Sequence, residues 1–138
     1  MTVKRGTGAK NKATELHSLI VRSKRKCERC GAPCHCPMFP RHTTGCVLEC
    51  AHIIPRSGAH TRTRIDNAWC LCKSCHARLG MWPDEYMAFV TDTIGLEKYD
   101  ELKLARNLGV GTKFDWEDEV DMLKPIWEAI VEKAKVSE

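Results

Sequence analysis

The chain has 138 residues, with 22 lysines and arginines against 18 aspartates and glutamates, and a net charge of +4. This length suits a single domain. The basic amino terminus lacks the apolar segment of a signal peptide, and no run approaches the ~18 apolar residues of a membrane span. We therefore expect a soluble, cytoplasmic protein with no membrane partner.

The charge is divided unevenly along the chain. Residues 1–78 carry 15 basic and 4 acidic residues, which gives +11, whereas residues 79–138 carry 7 basic and 14 acidic residues, which gives −7. A basic half of this kind favours a polyanionic partner, most often nucleic acid. The alternative is a solvated basic surface beside an acidic helical half.

The first half of the chain predicts an arm, a helix and a loop. Residues 1–12 are rich in Gly, Lys and Thr and predict a flexible basic arm. A short helix follows from residue 13, with Leu16, Leu19 and Ile20 on one face. Residues 27–46 contain three prolines and no sustained period, so we expect a loop organised by its cysteines.

The remaining elements predict an α+β fold. Residues 47–54 and 67–71 favour two strands around a polar loop, and residues 73–80 predict a helix. Residues 81–138 predict a helical extension packed on a core that spans residues 13–80. In the last helix, Pro125 interrupts an apolar stripe, so we expect a kink or two abutting helices.

Nine cysteines suggest metal ligands, because a disulfide framework is not expected in a reducing compartment. Cys27 and Cys30 form one CxxC pair, and Cys72 and Cys75 form another. A CxxC turn spaces two thiolates suitably for one tetrahedral zinc ion. We therefore predict a structural zinc site at these four residues; buried free cysteines are the alternative.

The other cysteines leave two interpretations open. A second zinc site would draw on residues of one short region: Cys34, Cys36, Cys46 and Cys50, with His35 and His42 nearby. Without that metal, these are ordinary thiols. Cys70 lies in a predicted strand, and we expect a small buried apolar residue there.

Three polar residues follow the order of the predicted elements. His52 ends the first strand, Asn67 begins the second and His76 lies on the following helix, directly after the last zinc cysteine. With the segments "AHIIPRS" and "NAWCLCKSCH" and the zinc pairs around them, residues 27–80 resemble the HNH endonucleases. The resemblance implies a small ββα-metal core stabilised by a four-cysteine zinc site.

The resemblance also implies roles for the three residues in hydrolysing DNA phosphodiester bonds. His52 would be the general base that takes a proton from water. His76 would bind a catalytic divalent ion, Mg²⁺ or Mn²⁺, which polarises the scissile phosphate. Asn67 would fix the loop and orient the His52 ring. The implied products carry 5′-phosphate and 3′-hydroxyl ends.

One position departs from the HNH pattern. Many HNH enzymes carry Asp or His directly before the base as a second metal ligand, and this chain has Ala51. Glu49, Asp66 and His60 are the alternatives for that ligand, and the sequence does not rank them.

Basic residues surround these positions and are candidates for phosphate contacts, which give salt-dependent binding without sequence information. They lie in the loop between the strands and on the following helix: Arg56, Arg62, Arg64, Lys73 and Arg78. The alternative for each one is a solvated side chain.

Two further segments resemble the NinG (Rap) family of phage recombination nucleases: "TRTRIDN" before the second zinc pair, and "EYMAFVTDTIGLEKYDEL" beyond residue 80. This implies a phage-encoded enzyme in the host cytoplasm that cleaves branched DNA such as Holliday junctions or D-loops. An HNH nuclease acting on ordinary duplex, in packaging or restriction, is one alternative. A zinc-stabilised nucleic-acid-binding module without catalysis is the other. A symmetric junction would suit a homodimer, a state that the sequence leaves open.

Overall fold

The structure, a computed structural model, describes residues 5–55 and 58–136. Within these ranges it contains six α-helices and one two-stranded antiparallel sheet, in agreement with the predicted α+β class. In chain order the elements are α1 (Arg5–Arg22), β1 (Leu48–His52), α2 (Ala59–Arg62), a 3₁₀ turn (Ile65–Asn67), β2 (Ala68–Cys72), α3 (Lys73–Met81), α4 (Pro83–Thr93), α5 (Gly95–Gly109) and α6 (Trp116–Val136). None of the described helices is long and apolar enough to cross a membrane.

The sheet lies at the centre of the larger of two apolar cores. Leu48 of β1 pairs with Cys72 of β2, and His52 pairs with Ala68 at the other end of the hairpin. Helices α3, α4 and α5 contribute buried residues to this core, among them Leu79, Val90 and Leu102. The Trp69 indole N–H donates to the Thr93 hydroxyl at 3.1 Å, which fixes α4 against β2. The carboxyl-terminal helices thus cover the hairpin.

A second core joins the two ends of the described chain. Residues Leu16, Leu19 and Ile20 of α1 pack against Leu123 and Trp127 of α6. This confirms the apolar faces predicted for both helices. Pro125 lies inside one continuous helix rather than between two abutting ones, because buried residues on either side of it hold α6 against α1 and offset the ~3 kcal/mol that an interior proline costs.

The first helix begins earlier than the sequence predicted. Residues 5–12, expected as part of a flexible arm, form the opening turns of α1, while residues 1–4 lie outside the described residues. Ala13 is fully buried in the core with α6, and the Thr14 hydroxyl donates to the Lys10 carbonyl at 2.9 Å. Packing against a distant helix therefore outweighs the low helix propensity of the glycines in this segment.

Candidate functional site

Four sulfur atoms meet where the turn after α1 reaches the end of β2. The thiols of Cys27, Cys30, Cys72 and Cys75 all lie within 4.8 Å of one another, with Cys30 Sγ 3.7 Å from Cys72 Sγ. All nine cysteines are free thiols, so no disulfide competes for these sulfurs. The predicted ligand set is therefore brought together, and it could hold a structural metal such as zinc.

Backbone groups hold the two CxxC turns in place. The N–H groups of Arg29 and Cys30 donate to Cys27 Sγ at 3.4 Å each. Glu28 ties the first turn to β2, since its N–H donates to the Cys70 carbonyl and its carboxylate accepts from the Cys70 N–H at 2.7 Å. The first turn is thereby fixed to the strand that supplies the third ligand.

Ionisation of this cluster is uneven. Burial opposes ionisation of Cys27, but hydrogen bonds from the backbone, including those of Cys30 and Arg29, lower the pKa of its thiol to about 6. Burial raises the pKa of Cys75 to about 12, and the neighbouring sulfurs add to the rise. Because four adjacent thiolates repel one another, full ionisation requires a cation among them, and metal binding would release the remaining protons.

A second four-ligand group lies in the loop between α1 and β1. It consists of Cys34, Cys36, His42 and Cys46. Nδ1 of His42 lies 3.2 Å from Cys34 Sγ and 3.3 Å from Cys46 Sγ. Its other ring nitrogen lies 3.2 Å from the Arg22 carbonyl, which can only accept, so Nε2 carries the proton and Nδ1 the lone pair. This group could also hold a structural metal such as zinc.

The sequence had left the membership of this second group open. His42 belongs to it, whereas His35 is exposed and lies outside it. Cys50 belongs to a separate group with His17 and His52. Hydrogen bonds from Thr43 lower the pKa of the Cys36 thiol to about 5, and burial raises that of Cys34 to about 11.

His52 lies at the end of β1, beside the loop that joins the two strands. Its Nε2 lies 2.8 Å from the Arg62 carbonyl. Because a carbonyl only accepts, Nε2 carries the proton, and Nδ1 is the nitrogen with the lone pair. The ring lines a cleft of about 290 Å³ between α1 and β1. A neutral histidine in this tautomer can accept a proton through Nδ1.

Asn67 is fully buried and locks the loop between the strands. Its side-chain oxygen accepts from the Ile54 N–H at 2.8 Å. Its amide nitrogen donates to the carbonyls of Ile54, at 3.2 Å, and Thr61, at 2.9 Å. Thr61 precedes the residue whose carbonyl accepts from His52, so the amide fixes the backbone that orients the histidine ring.

His76 projects from α3 towards the hairpin. Its Nδ1 lies 2.7 Å from Oε1 of Glu49, and both side chains are partly exposed. Glu49 is also one of the residues that line the cleft containing His52.

The other two residues considered in place of a ligand at Ala51 are engaged elsewhere. Asp66 accepts from Arg64, and this hydrogen bond lowers the pKa of its carboxyl to about 2. His60 packs against Phe114 with ring centroids 5.0 Å apart, and its Nε2 lies 3.2 Å from the Thr112 hydroxyl. Of the three alternatives to a ligand at position 51, Glu49 is therefore the one that contacts His76.

The structure adds His17 and Arg22 of α1, which the sequence did not single out. Both line the His52 cleft. His17 is 1% exposed; its ring centroid lies 5.3 Å from that of His52, and its Nδ1 lies 3.7 Å from Cys50 Sγ. Burial lowers the pKa of His17 to about 4. His17 adjoins the apolar face of its helix, and only the docking of α1 on β1 brings it to the site.

Of the basic residues predicted to contact DNA, Arg64 is held by carboxylates. Its guanidinium binds Asp66 at 2.7 Å and Glu101 at 3.0 Å, and these hydrogen bonds raise its pKa. Arg78 forms a similar two-point contact with Glu85, at 2.6 and 2.8 Å. Both are thus committed to intramolecular ion pairs.

The remaining three predicted DNA contacts differ in their surroundings. Lys73 is exposed in the first turn of α3. Arg62 is half-buried, and its carbonyl orients His52. Arg56 lies outside the described residues.

Comparisons with protein-family models, with curated proteins and with solved structures found no match to this chain.

Proposed function

We propose that this protein is a metal-dependent endonuclease of the HNH type that hydrolyses phosphodiester bonds of DNA. The observation that carries the proposal is the arrangement around the hairpin. His52 has its Nε2–H bound to a carbonyl, Glu49 lines the same cleft, and His76 of the following helix contacts that carboxylate.

His52 is the proposed general base. With Nε2–H held by the Arg62 carbonyl, Nδ1 can take a proton from an attacking water, and the resulting imidazolium keeps its hydrogen bond to that carbonyl. The buried amide of Asn67 holds this stretch of backbone by three hydrogen bonds. Asn67 therefore acts as a positioning residue, as the resemblance implied.

Glu49 and His76 are the proposed ligands of the divalent ion. A carboxylate oxygen and an imidazole nitrogen suit Mg²⁺ or Mn²⁺. Nδ1 of His76 and Oε1 of Glu49 lie 2.7 Å apart and share a proton, which an ion held by both atoms would displace to solvent. When bound, such an ion polarises the scissile phosphate and stabilises the departing 3′ oxygen. Glu49 thus supplies the acidic ligand that Ala51 does not.

The charge distribution supports DNA as the substrate. Residues 1–78 carry the +11 excess, and Arg22 lies in the His52 cleft, where a phosphate would approach the base. Selectivity for branched DNA rests on the resemblance to phage recombination nucleases. We therefore propose a Holliday junction or D-loop as the preferred substrate, with ordinary duplex as the alternative.

The test is a cleavage assay on zinc-replete protein. A four-way junction and a linear duplex with the same arm sequences would be incubated with Mg²⁺ or Mn²⁺, and in parallel without either ion. We expect ion-dependent cutting of the junction that leaves 5′-phosphate ends, with Glu49→Gln strongly impaired. Equal cutting of both DNAs would support a general duplex nuclease. Ion-independent binding without cutting would contradict the nuclease proposal and leave a zinc-held DNA-binding module.

A further inference from the structure

The cleft that contains His52 also contains a third group of metal-ligating side chains. His17, Cys50 and His52 each offer a donor atom, and these atoms lie within 4.8 Å of one another. None of the three belongs to either four-ligand cluster. Cys50 and His52 share a face of β1 because they are two residues apart on a strand, and α1 packs across that face with His17.

The hydrogen bonds of the two histidines favour ligation. Nε2 of His17 lies 2.9 Å from the Arg64 carbonyl, and Nε2 of His52 lies 2.8 Å from the Arg62 carbonyl. Both rings therefore donate through Nε2 and keep the lone pair on Nδ1. Metal-binding histidines almost always donate their other N–H in this way. His42 of the second cluster uses the Arg22 carbonyl likewise.

From this geometry we propose that His17, Cys50 and His52 form a third metal site, selective for Zn²⁺, whose occupation inhibits the nuclease. Two imidazole nitrogens and one thiolate suit Zn²⁺ rather than Mg²⁺. Binding would convert the Cys50 thiol to a thiolate and release one proton to solvent. Three protein ligands leave one position of a tetrahedral ion for water or a phosphate oxygen.

Inhibition follows from the shared residue and rests on the proposed function. Nδ1 of His52 cannot accept a proton from water while its lone pair is bound to zinc. The site differs from the Glu49–His76 pair in both ligands and metal preference, so Mg²⁺ would support cutting while Zn²⁺ beyond the structural clusters would stop it. The zinc-binding part of the proposal does not depend on nuclease activity.

The binding test uses protein whose two four-ligand clusters are already filled with zinc. Co²⁺ would be titrated into this protein and followed by its visible absorption and its thiolate-to-cobalt charge-transfer band. We expect one further equivalent to bind with the charge-transfer band present. Cys50→Ala should abolish the band and weaken binding by at least about 100-fold, the upper end of what outer-shell changes alone cause. His17→Gln should weaken binding comparably.

The matched control is Cys70→Ala. Cys70 lies opposite Cys50 in the strand register but is not a ligand of this group. It should bind the third equivalent as the unmodified protein does. Absence of a third equivalent, or an unchanged charge-transfer band in Cys50→Ala, would overturn the site.

The inhibition test adds Zn²⁺ to the Mg²⁺-supported cleavage reaction, with each variant compared with its own rate before zinc is added. We expect stoichiometric zinc to inhibit the unmodified protein and Cys70→Ala at least about tenfold, and to spare Cys50→Ala. A bound third zinc without inhibition would overturn the regulatory role alone. A protein that binds the third zinc but never cuts DNA would retain the metal site and refute the nuclease proposal.

Discussion

The two four-ligand clusters have similar donors but join different parts of the molecule. The first connects residues 42 positions apart, Cys30 and Cys72, and so ties the turn after α1 to the hairpin and α3. The second closes a single loop between Cys34 and Cys46, twelve positions apart. The difference in loop length alone would make their contributions to the free energy of unfolding differ by only about 1 kcal/mol. Their contributions should differ more than this, because the first cluster holds elements that carry the candidate site.

Loss of the first cluster should have the largest effect. Cys75→Ser should remove one zinc equivalent, lower the free energy of unfolding by at least about 3 kcal/mol and release the turn after α1 from the start of α3. Urea denaturation and zinc analysis would measure both quantities. Cys70→Ala, which removes a buried sulfur outside the cluster, should cost about 1 kcal/mol and keep the full zinc content. Full zinc content in Cys75→Ser would contradict the assignment.

Substitution of Asn67 tests whether the stability of the hairpin also depends on buried polar hydrogen bonds that need no metal. Asn67→Ala leaves the buried Ile54 N–H without its partner and removes one hydrogen bond each from the carbonyls of Ile54 and Thr61. We therefore expect a loss of about 2–3 kcal/mol in unfolding free energy. Both zinc equivalents should remain. The cleavage rate should fall further than the loss of stability explains, because the Arg62 carbonyl is no longer fixed beside His52. An unchanged rate in the folded variant would refute the positioning role.

Loss of the second cluster should be milder. In Cys46→Ser, we expect one zinc equivalent to be lost and stability to fall by about 1–2 kcal/mol, since a single surface loop is released. Amide hydrogen exchange should show protection lost in residues 34–46 and retained in β1 and β2. Loss of protection throughout β1 and β2 would mean that the second cluster stabilises the hairpin as much as the first does.

The smallest effects should come from basic residues outside both clusters. Lys73→Gln should reduce the slope of log affinity for DNA against log salt by about 0.9, because one exposed phosphate contact is lost. Arg64→Gln should leave that slope close to its original value and lower stability by no more than about 1 kcal/mol, because its guanidinium already binds two carboxylates on the surface. Equal slopes for the two variants would contradict this distinction.

Sequence spacing predicted the parts of the site that local geometry determines. A CxxC turn brings two sulfurs together wherever the chain places it, so the four ligands of the first cluster could be identified without a structure. Asn67 was singled out by the resemblance to the HNH endonucleases rather than by spacing.

The remaining features depend on contacts between distant segments. His17 reaches His52 only because α1 docks on β1, and no spacing in the sequence encodes that approach. Glu49 could not be ranked above Asp66 until α3 was seen to bring His76 to its carboxylate. Arg64, one of the residues predicted to contact phosphate, is instead bound by Glu101, 37 residues away.

The most direct test of the account compares DNA binding and DNA cleavage in His52→Ala, with His35→Ala as the matched control. His35 is an exposed histidine outside every metal-ligating group of the described residues. With Mg²⁺ and a four-way junction, zinc-replete His52→Ala should bind DNA normally and cut at least about 100-fold more slowly, while His35→Ala should cut at the original rate. Equal cutting by both variants, with fold and zinc content intact, would contradict the assignment of His52 as the base.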